Sequence, residues 1–179
     1  MNRFAFLLCL SLAWVNDSQA NKITDFYEIE NVSPPELLLQ RYGNSRGGPG
    51  TQADGLDFMP DGRLVACFVG GEVFTLNPKT GKWKLFADGL HTPLGVVALN
   101  DREVMVSQRP ELTLLKDMDG DGVADEYSAF SDDFGVSGNY HEFHFGPVRD
   151  KDGNFYVALG TASNGADVRF EKRGEFDKR

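Results

Sequence analysis

An all-β fold made of four-stranded antiparallel blades, as in a β-propeller, is the class this sequence predicts, and three observations predict it. From Thr51 onward, short runs rich in β-branched and aromatic residues alternate with turns of Gly, Pro, Asp and Asn. The pattern recurs, with copies opening at Gly55, Pro93 and His141; their first strands, around Phe58, Val97 and Phe145, lie about forty to fifty residues apart, a propeller spacing. Within the copies Asp61-Gly62 and Asp152-Gly153 take equivalent places between two apolar runs. An all-β sandwich also strings short strands on turns, but the recurrence of Leu/Phe-x-x-x-Asp-Gly-x-Leu/Phe favours the propeller.

Residues 1–20 read as a secretory signal peptide. Arg3 supplies the positive start, Phe4 to Val15 the apolar run, and Ser18-Gln19-Ala20 the small-residue cleavage site. The run is short for a transmembrane helix, and no later stretch has the length to span a bilayer. A secreted or periplasmic protein, associated with the cell envelope, is the corresponding expectation. Residues 21–52 form an N-terminal extension in which Ser33-Pro34-Pro35 ends any regular element, followed by the Gly-rich connector Gly43 to Gly50. That connector lacks the spacing and the Lys-Ser/Thr ending of a P-loop.

Residues 53–179 hold the partial propeller. The first copy reads as strands Leu56–Met59, Arg63–Phe68, Glu72–Leu76 and Lys82–Phe86, broken by Pro60-Asp61-Gly62, Gly70-Gly71 and Asn77 to Gly81. About three blades of an expected six leave the ring incomplete, with a sheet edge unpaired. The chain reads as a fragment of a longer protein, and alone it is expected to fold in part or to self-associate.

The densest charge chemistry lies late in the second copy, in KDMDGDGVADE. Asp117, Asp119, Asp121 and Asp125 stand at offsets 1, 3, 5 and 9, with Gly122 at offset 6 and the Val123 carbonyl at offset 7. A calcium ion collects six to eight oxygens, and carboxylates on alternate residues converge only where a glycine permits the sharp turn. Offset 12 is Ser128 where an EF-hand has Glu, so the loop lacks the EF-hand frame and is expected to join two strands. The competing reading is a solvated acidic turn.

Composition excludes some classes. A net charge of −9 at pH 7 and no Lys/Arg cluster exclude nucleic acid as a partner. Of two cysteines, Cys9 falls within the apolar leader, so signal cleavage leaves Cys67 as a buried structural thiol with no disulfide partner. There is no Cys-x-x-Cys-His for haem attachment.

The stretches PDGRLVACFVGGEVFTLNPKTGKW, DGLHTPLGV, SQRPELTLLKDMDGDGVADE and FGVSGNYHEFHFGPVRDKDGNFYVALG together resemble secreted proteins of Planctomycetes and Verrucomicrobia described as membrane-bound dehydrogenases, related to glucose/sorbosone dehydrogenase-like β-propellers. The resemblance covers roughly Ala53 to Gly160. It implies a six-bladed propeller, commonly in a longer chain with helical repeats and a cytochrome c module. It further implies a sugar or related alcohol as substrate, pyrroloquinoline quinone as hydride acceptor, calcium beside the quinone, and a histidine as general base. His141, just upstream of the strand ending in Phe145-Gly146-Pro147, is the candidate base, although strict spacing puts the family's position on Gly138. His144 is a weaker candidate, with blade-interface packing as its alternative. Arg109 is a candidate for an anionic group, or an ion-pair partner of Glu111. Two further classes stay open: a calcium-dependent lactonase-like hydrolase, and a non-catalytic carbohydrate- or protein-binding module.

Overall fold

The structure, a computed structural model, describes residues 31–43, 51–133 and 143–160. Residues 1–20, expected to be a signal peptide, most of the Gly-rich connector and His141 lie outside the described residues. The described chain from Pro34 onward belongs to one compact unit. It holds one short helix, α1 (Glu36–Tyr42), and ten strands: β1 (Ala53–Phe58), β2 (Leu64–Phe68), β3 (Val73–Asn77), β4 (Lys82–Ala87), β5 (Gly95–Ala98), β6 (Glu103–Gln108), β7 (Glu111–Lys116), β8 (Glu126–Ser131), β9 (His144–Arg149) and β10 (Phe155–Leu159).

The fold class is all-β, as the sequence predicts. Strands β1 to β4 form sheet I, β5 to β8 form sheet II, and β9 with β10 form sheet III, each antiparallel and in sequence order. Tight turns at Asp61-Gly62, Asn100-Asp101 and Asp152-Gly153 join the first strand of each sheet to the second. β5 packs beside both β1 and β9, so the first strands of the three sheets are neighbours, as in propeller blades. Among the described residues the sheets do not close into a ring or barrel.

Alternation along β2 shows how sheet I is buried on both faces. Val65 and Cys67 join the cluster of Met59, Val73, Phe86, Val96, Val104, Val106 and Leu115 that fills the space between sheets I and II. Ala66 and Phe68 face the other way and join Phe74 and Leu38 of α1. The apolar run of β2 is continuous because neither face meets water.

Two local features depart from the sequence reading. β1 starts at Ala53 rather than Leu56, because the β1–β2 register slips between Ala53 and Gly55 and leaves Asp54 as a bulge. After Ser33-Pro34-Pro35 the chain does not stay irregular: α1 begins at Glu36 with Pro35 at its N-cap. Proline is compatible with a helix start because its missing N–H is not needed there. Glu36 in the first turn and Arg41 in the last suit the helix dipole.

A glycine occupies one position in all three first strands: Gly55, Gly95 and Gly146. A Cβ on Gly55 would collide with the backbone of Gly95, and one on Gly95 with the carbonyl of Gly146. The sheets meet here backbone to backbone. Cys67 Sγ reaches the Pro93 carbonyl at 3.7 Å, and Ser107 Oγ donates to the His144 carbonyl at 3.3 Å. Both are the twelfth residue after their sheet's glycine, so one contact is used twice between successive sheets.

Candidate metal centre

The acidic loop joins β7 to β8, the two outer strands of sheet II. Its base is fixed on three sides. Asp125 N–H donates to the Lys116 carbonyl at 2.8 Å, closing the loop on itself. Asp117 N–H donates to the Arg102 carbonyl at 2.9 Å, and Ala124 N–H to the Phe86 carbonyl of sheet I at 2.7 Å. Ala124 is buried in the core between the sheets.

The side chains complete the fold of the loop. Asp117, only 6% exposed, accepts from Gly120 N–H at 2.6 Å with one oxygen and from Gly122 N–H at 2.8 Å with the other. Both glycines have φ near +85° (85° and 84°), a conformation that penalises any side chain. Asp119 accepts from Asp121 N–H at 3.0 Å, and Asp121 accepts from Val123 N–H at 2.8 Å. Asp125 accepts from Met118 N–H at 2.8 Å.

Asp117, Asp119 and Asp125 each offer an oxygen within 4.8 Å of the other two. These carboxylates form a hard, all-oxygen donor set that could hold a metal ion. Of the residues picked from spacing, Asp117, Asp119 and Asp125 converge. The Asp121 carboxylate is outside that group, turned to the Val123 amide, and Asp121 presents its carbonyl to Lys84 Nζ instead. Val123 is exposed at the loop surface. Arg102 lies against Gly120 and Lys84 against Gly122, so two cations brace the back of the loop and offset part of its charge. Neither was foreseen from the sequence, because both come from other hairpins.

The family model for a domain of unknown function, DUF7133, matches residues 78–179, more than half of the chain. The chain belongs to this family. The DUF7133 match takes in β4, all of sheet II with its acidic loop, and sheet III. No curated protein and no solved structure matches the chain.

The other candidates in the DUF7133 part have structural surroundings. His144 is 4% exposed, and its Nδ1 lies 3.1 Å from the Gln108 carbonyl. A carbonyl only accepts, so Nδ1 carries the proton. The Arg109 N–H donates to the His91 carbonyl at 3.0 Å. The Glu111 carboxylate accepts from Thr113 Oγ1 at 2.6 Å, and Thr113 Oγ1 in turn accepts from Gln108 Nε2 at 2.6 Å. This chain of bonds closes the end of the β6–β7 hairpin. A recess of about 100 Å³ lined by Asp61, Arg63, Asn77 and Lys79 is well below the volume that encloses an organic cofactor.

Sequence reasoning passed over Glu72, which is fully buried beside β3. Its signal was a carboxylate placed directly after Gly70-Gly71 at the head of an apolar run. Arg41 donates to it at 2.7 Å and Tyr42 at 2.9 Å.

Proposed function

We propose that the chain is a calcium-stapled section of a secreted glucose/sorbosone dehydrogenase-like β-propeller that acts on sugars or related alcohols. The single observation that carries the metal part is the convergence of Asp117, Asp119 and Asp125 within 4.8 Å on a loop braced by both sheets. An all-carboxylate set with a free outer side suits calcium, which takes several oxygens in loose geometry and fills its remaining positions with carbonyls or water. The ion's role is to hold the β7–β8 connection, and through Ala124 the seam with sheet I.

The reaction rests on the resemblance. Pyrroloquinoline quinone, when bound, would accept the substrate's hydride. His141 is the candidate base that takes the hydroxyl proton. The described residues add no cradle for the quinone, and His144 is 4% exposed with its Nδ1 proton held by the Gln108 carbonyl, which supports packing between sheets as its role.

That placement of His144 favours a second reading, in which the propeller is a non-catalytic module presenting carbohydrate or protein to other parts of a longer chain. Titrating pyrroloquinoline quinone with calcium present, followed by dye reduction over a panel of sugars, separates the two. Binding with turnover that His141→Ala abolishes establishes the dehydrogenase. No binding leaves the calcium-stapled module.

A further inference from the structure

The two ends of sheet II differ in chemistry. Strand register places Gly95 opposite Ser107 and Gln108 opposite Glu111 at one end, and Ala98 opposite Val104 and Glu103 opposite Lys116 at the other. The acidic loop leaves β7 after Lys116, so it belongs to the second end. The first end carries the connection from sheet I to sheet II, Asp88 to Leu94, which bonds to the last residues of β6 and to the β6–β7 turn.

This connection is fixed almost residue by residue. Asp88 is held by Arg41 at 2.7 Å, and its N–H donates to Tyr127 Oη at 3.1 Å. Leu90 N–H donates to the Gly71 carbonyl at 3.1 Å, and Leu94 N–H to the Ser107 carbonyl at 3.0 Å. The backbone of His91 is gripped on both sides: its N–H donates to Gln108 Oε1 at 2.6 Å, and its carbonyl accepts from Arg109 N–H at 3.0 Å. Gln108 is itself 8% exposed and donates to Thr113 Oγ1. Leu90 and Pro93, on either side, are buried.

Within this frame Thr92 has φ of 51°. A β-branched residue is seldom found there, because its Cβ crowds the backbone, and the conformation persists only where the surroundings over-determine it. The bonds to His91 and Leu94 do so, and such strain gathers where a side chain has to be held at a set position. The side chain held out by this turn is His91. Its ring is exposed and has no hydrogen-bond partner among the described residues, in contrast to the His144 ring, which is buried against the Gln108 carbonyl.

A neutral imidazole carries one donor and one acceptor nitrogen, which matches a hydroxyl, itself donor and acceptor. The net charge of −9 works against an anion at this surface. We propose that His91 is a recognition residue for a neutral hydroxyl-bearing ligand, a sugar or related polyol, at the end of sheet II opposite the acidic loop. The site rests on the reading that the protein acts on sugars, and adds to it a contact separate from His141. Ligand and candidate metal then lie at opposite ends of one sheet, so the ion acts on the fold and not on the ligand.

The test is proton NMR of the full chain titrated with D-glucose, L-sorbose and D-sorbitol, with His91→Ala used to assign the His91 ring resonance. Because the ring is exposed and the backbone bonds are kept, His91→Ala should match the parent in Tm. The expected result is a saturable shift of the His91 resonance with at least one of these compounds. Calorimetry should show it binding about tenfold more weakly to His91→Ala, the loss of one hydrogen bond. A shift without dye reduction in the presence of pyrroloquinoline quinone and calcium keeps the recognition site and removes the dehydrogenase reading. Turnover that survives His91→Ala with unchanged KM overturns the site and keeps that reading. The inference is also overturned if none of the compounds moves the resonance, or if His91→Ala binds as tightly as the parent.

Discussion

Asp117 caps the acidic loop and belongs to its candidate metal cluster, and the two contributions separate by experiment. Its carboxylate caps the amides of Gly120 and Gly122 from a nearly buried position, so Asp117→Ala should cost about 2–3 kcal/mol in urea denaturation even with chelator present, the range for buried hydrogen bonds to a charged group. Asp119 is exposed and faces the cluster. Asp119→Ala should leave stability in chelator nearly unchanged and remove the response to calcium. Gly122→Ala forces a side chain into φ of 84° against Lys84 and should destabilise by about 1–2 kcal/mol whatever the metal content.

Cys67 makes a pH prediction. Burial, reinforced by the negative charge of Asp54, pushes its thiol from the ordinary 9.0 up to about 12. The unfolded chain therefore loses this proton first. The stability linked to Cys67 is fully present below pH 9 and is lost as pH rises from 9 toward 12. Cys67→Ala should flatten that part of the alkaline limb in a stability-against-pH series, and the wild-type thiol should label with a disulfide reagent only on unfolding. A thiol that labels rapidly in the native state at neutral pH would contradict its burial.

At the scale of elements, the strands and turns were legible in the sequence because both leave local marks: alternation or continuous apolar runs for strands, and Asp-Gly, Gly-Gly and Asn-to-Gly breaks between them. The placement of the acidic loop between two strands was legible for the same reason. Which carboxylates converge was not. Spacing treats Asp121 like Asp119, whereas the chain turns Asp121 toward its own Val123 amide. The helix α1 was hidden behind two prolines and is too short to show a period; its stability comes from the face of sheet I and from Glu72, both distant in sequence. Nor did Gly55, Gly95 and Gly146 announce themselves, since each is required by a neighbouring strand rather than by its own turn. Gly95→Ala should therefore cost about 3 kcal/mol, at or beyond the upper end for overpacking, by forcing sheets II and III apart. A loss below 1 kcal/mol in the same denaturation series would mean the seam relaxes freely.

On the scale of the whole molecule, the all-β class and the side-by-side blades follow from the recurrence of one strand-turn-strand unit, and the structure places β1, β5 and β9 as neighbours. The acidic loop, the candidate metal site, sits where sheets I and II meet. Its backbone reaches the Phe86 carbonyl of sheet I, so a bound ion should stabilise more than nine residues of loop. At free calcium a hundredfold above Kd the gain is about 2.7 kcal/mol, which for a chain of this length raises Tm by roughly 5–10 °C.

The most direct measurement is calorimetric unfolding of the full chain in chelator and in calcium, with Asp119→Ala alongside. The Tm of the wild type should rise with calcium, and that of Asp119→Ala should stay fixed. Equal Tm values for the wild type in chelator and in saturating calcium would contradict this and leave the loop a solvated acidic turn.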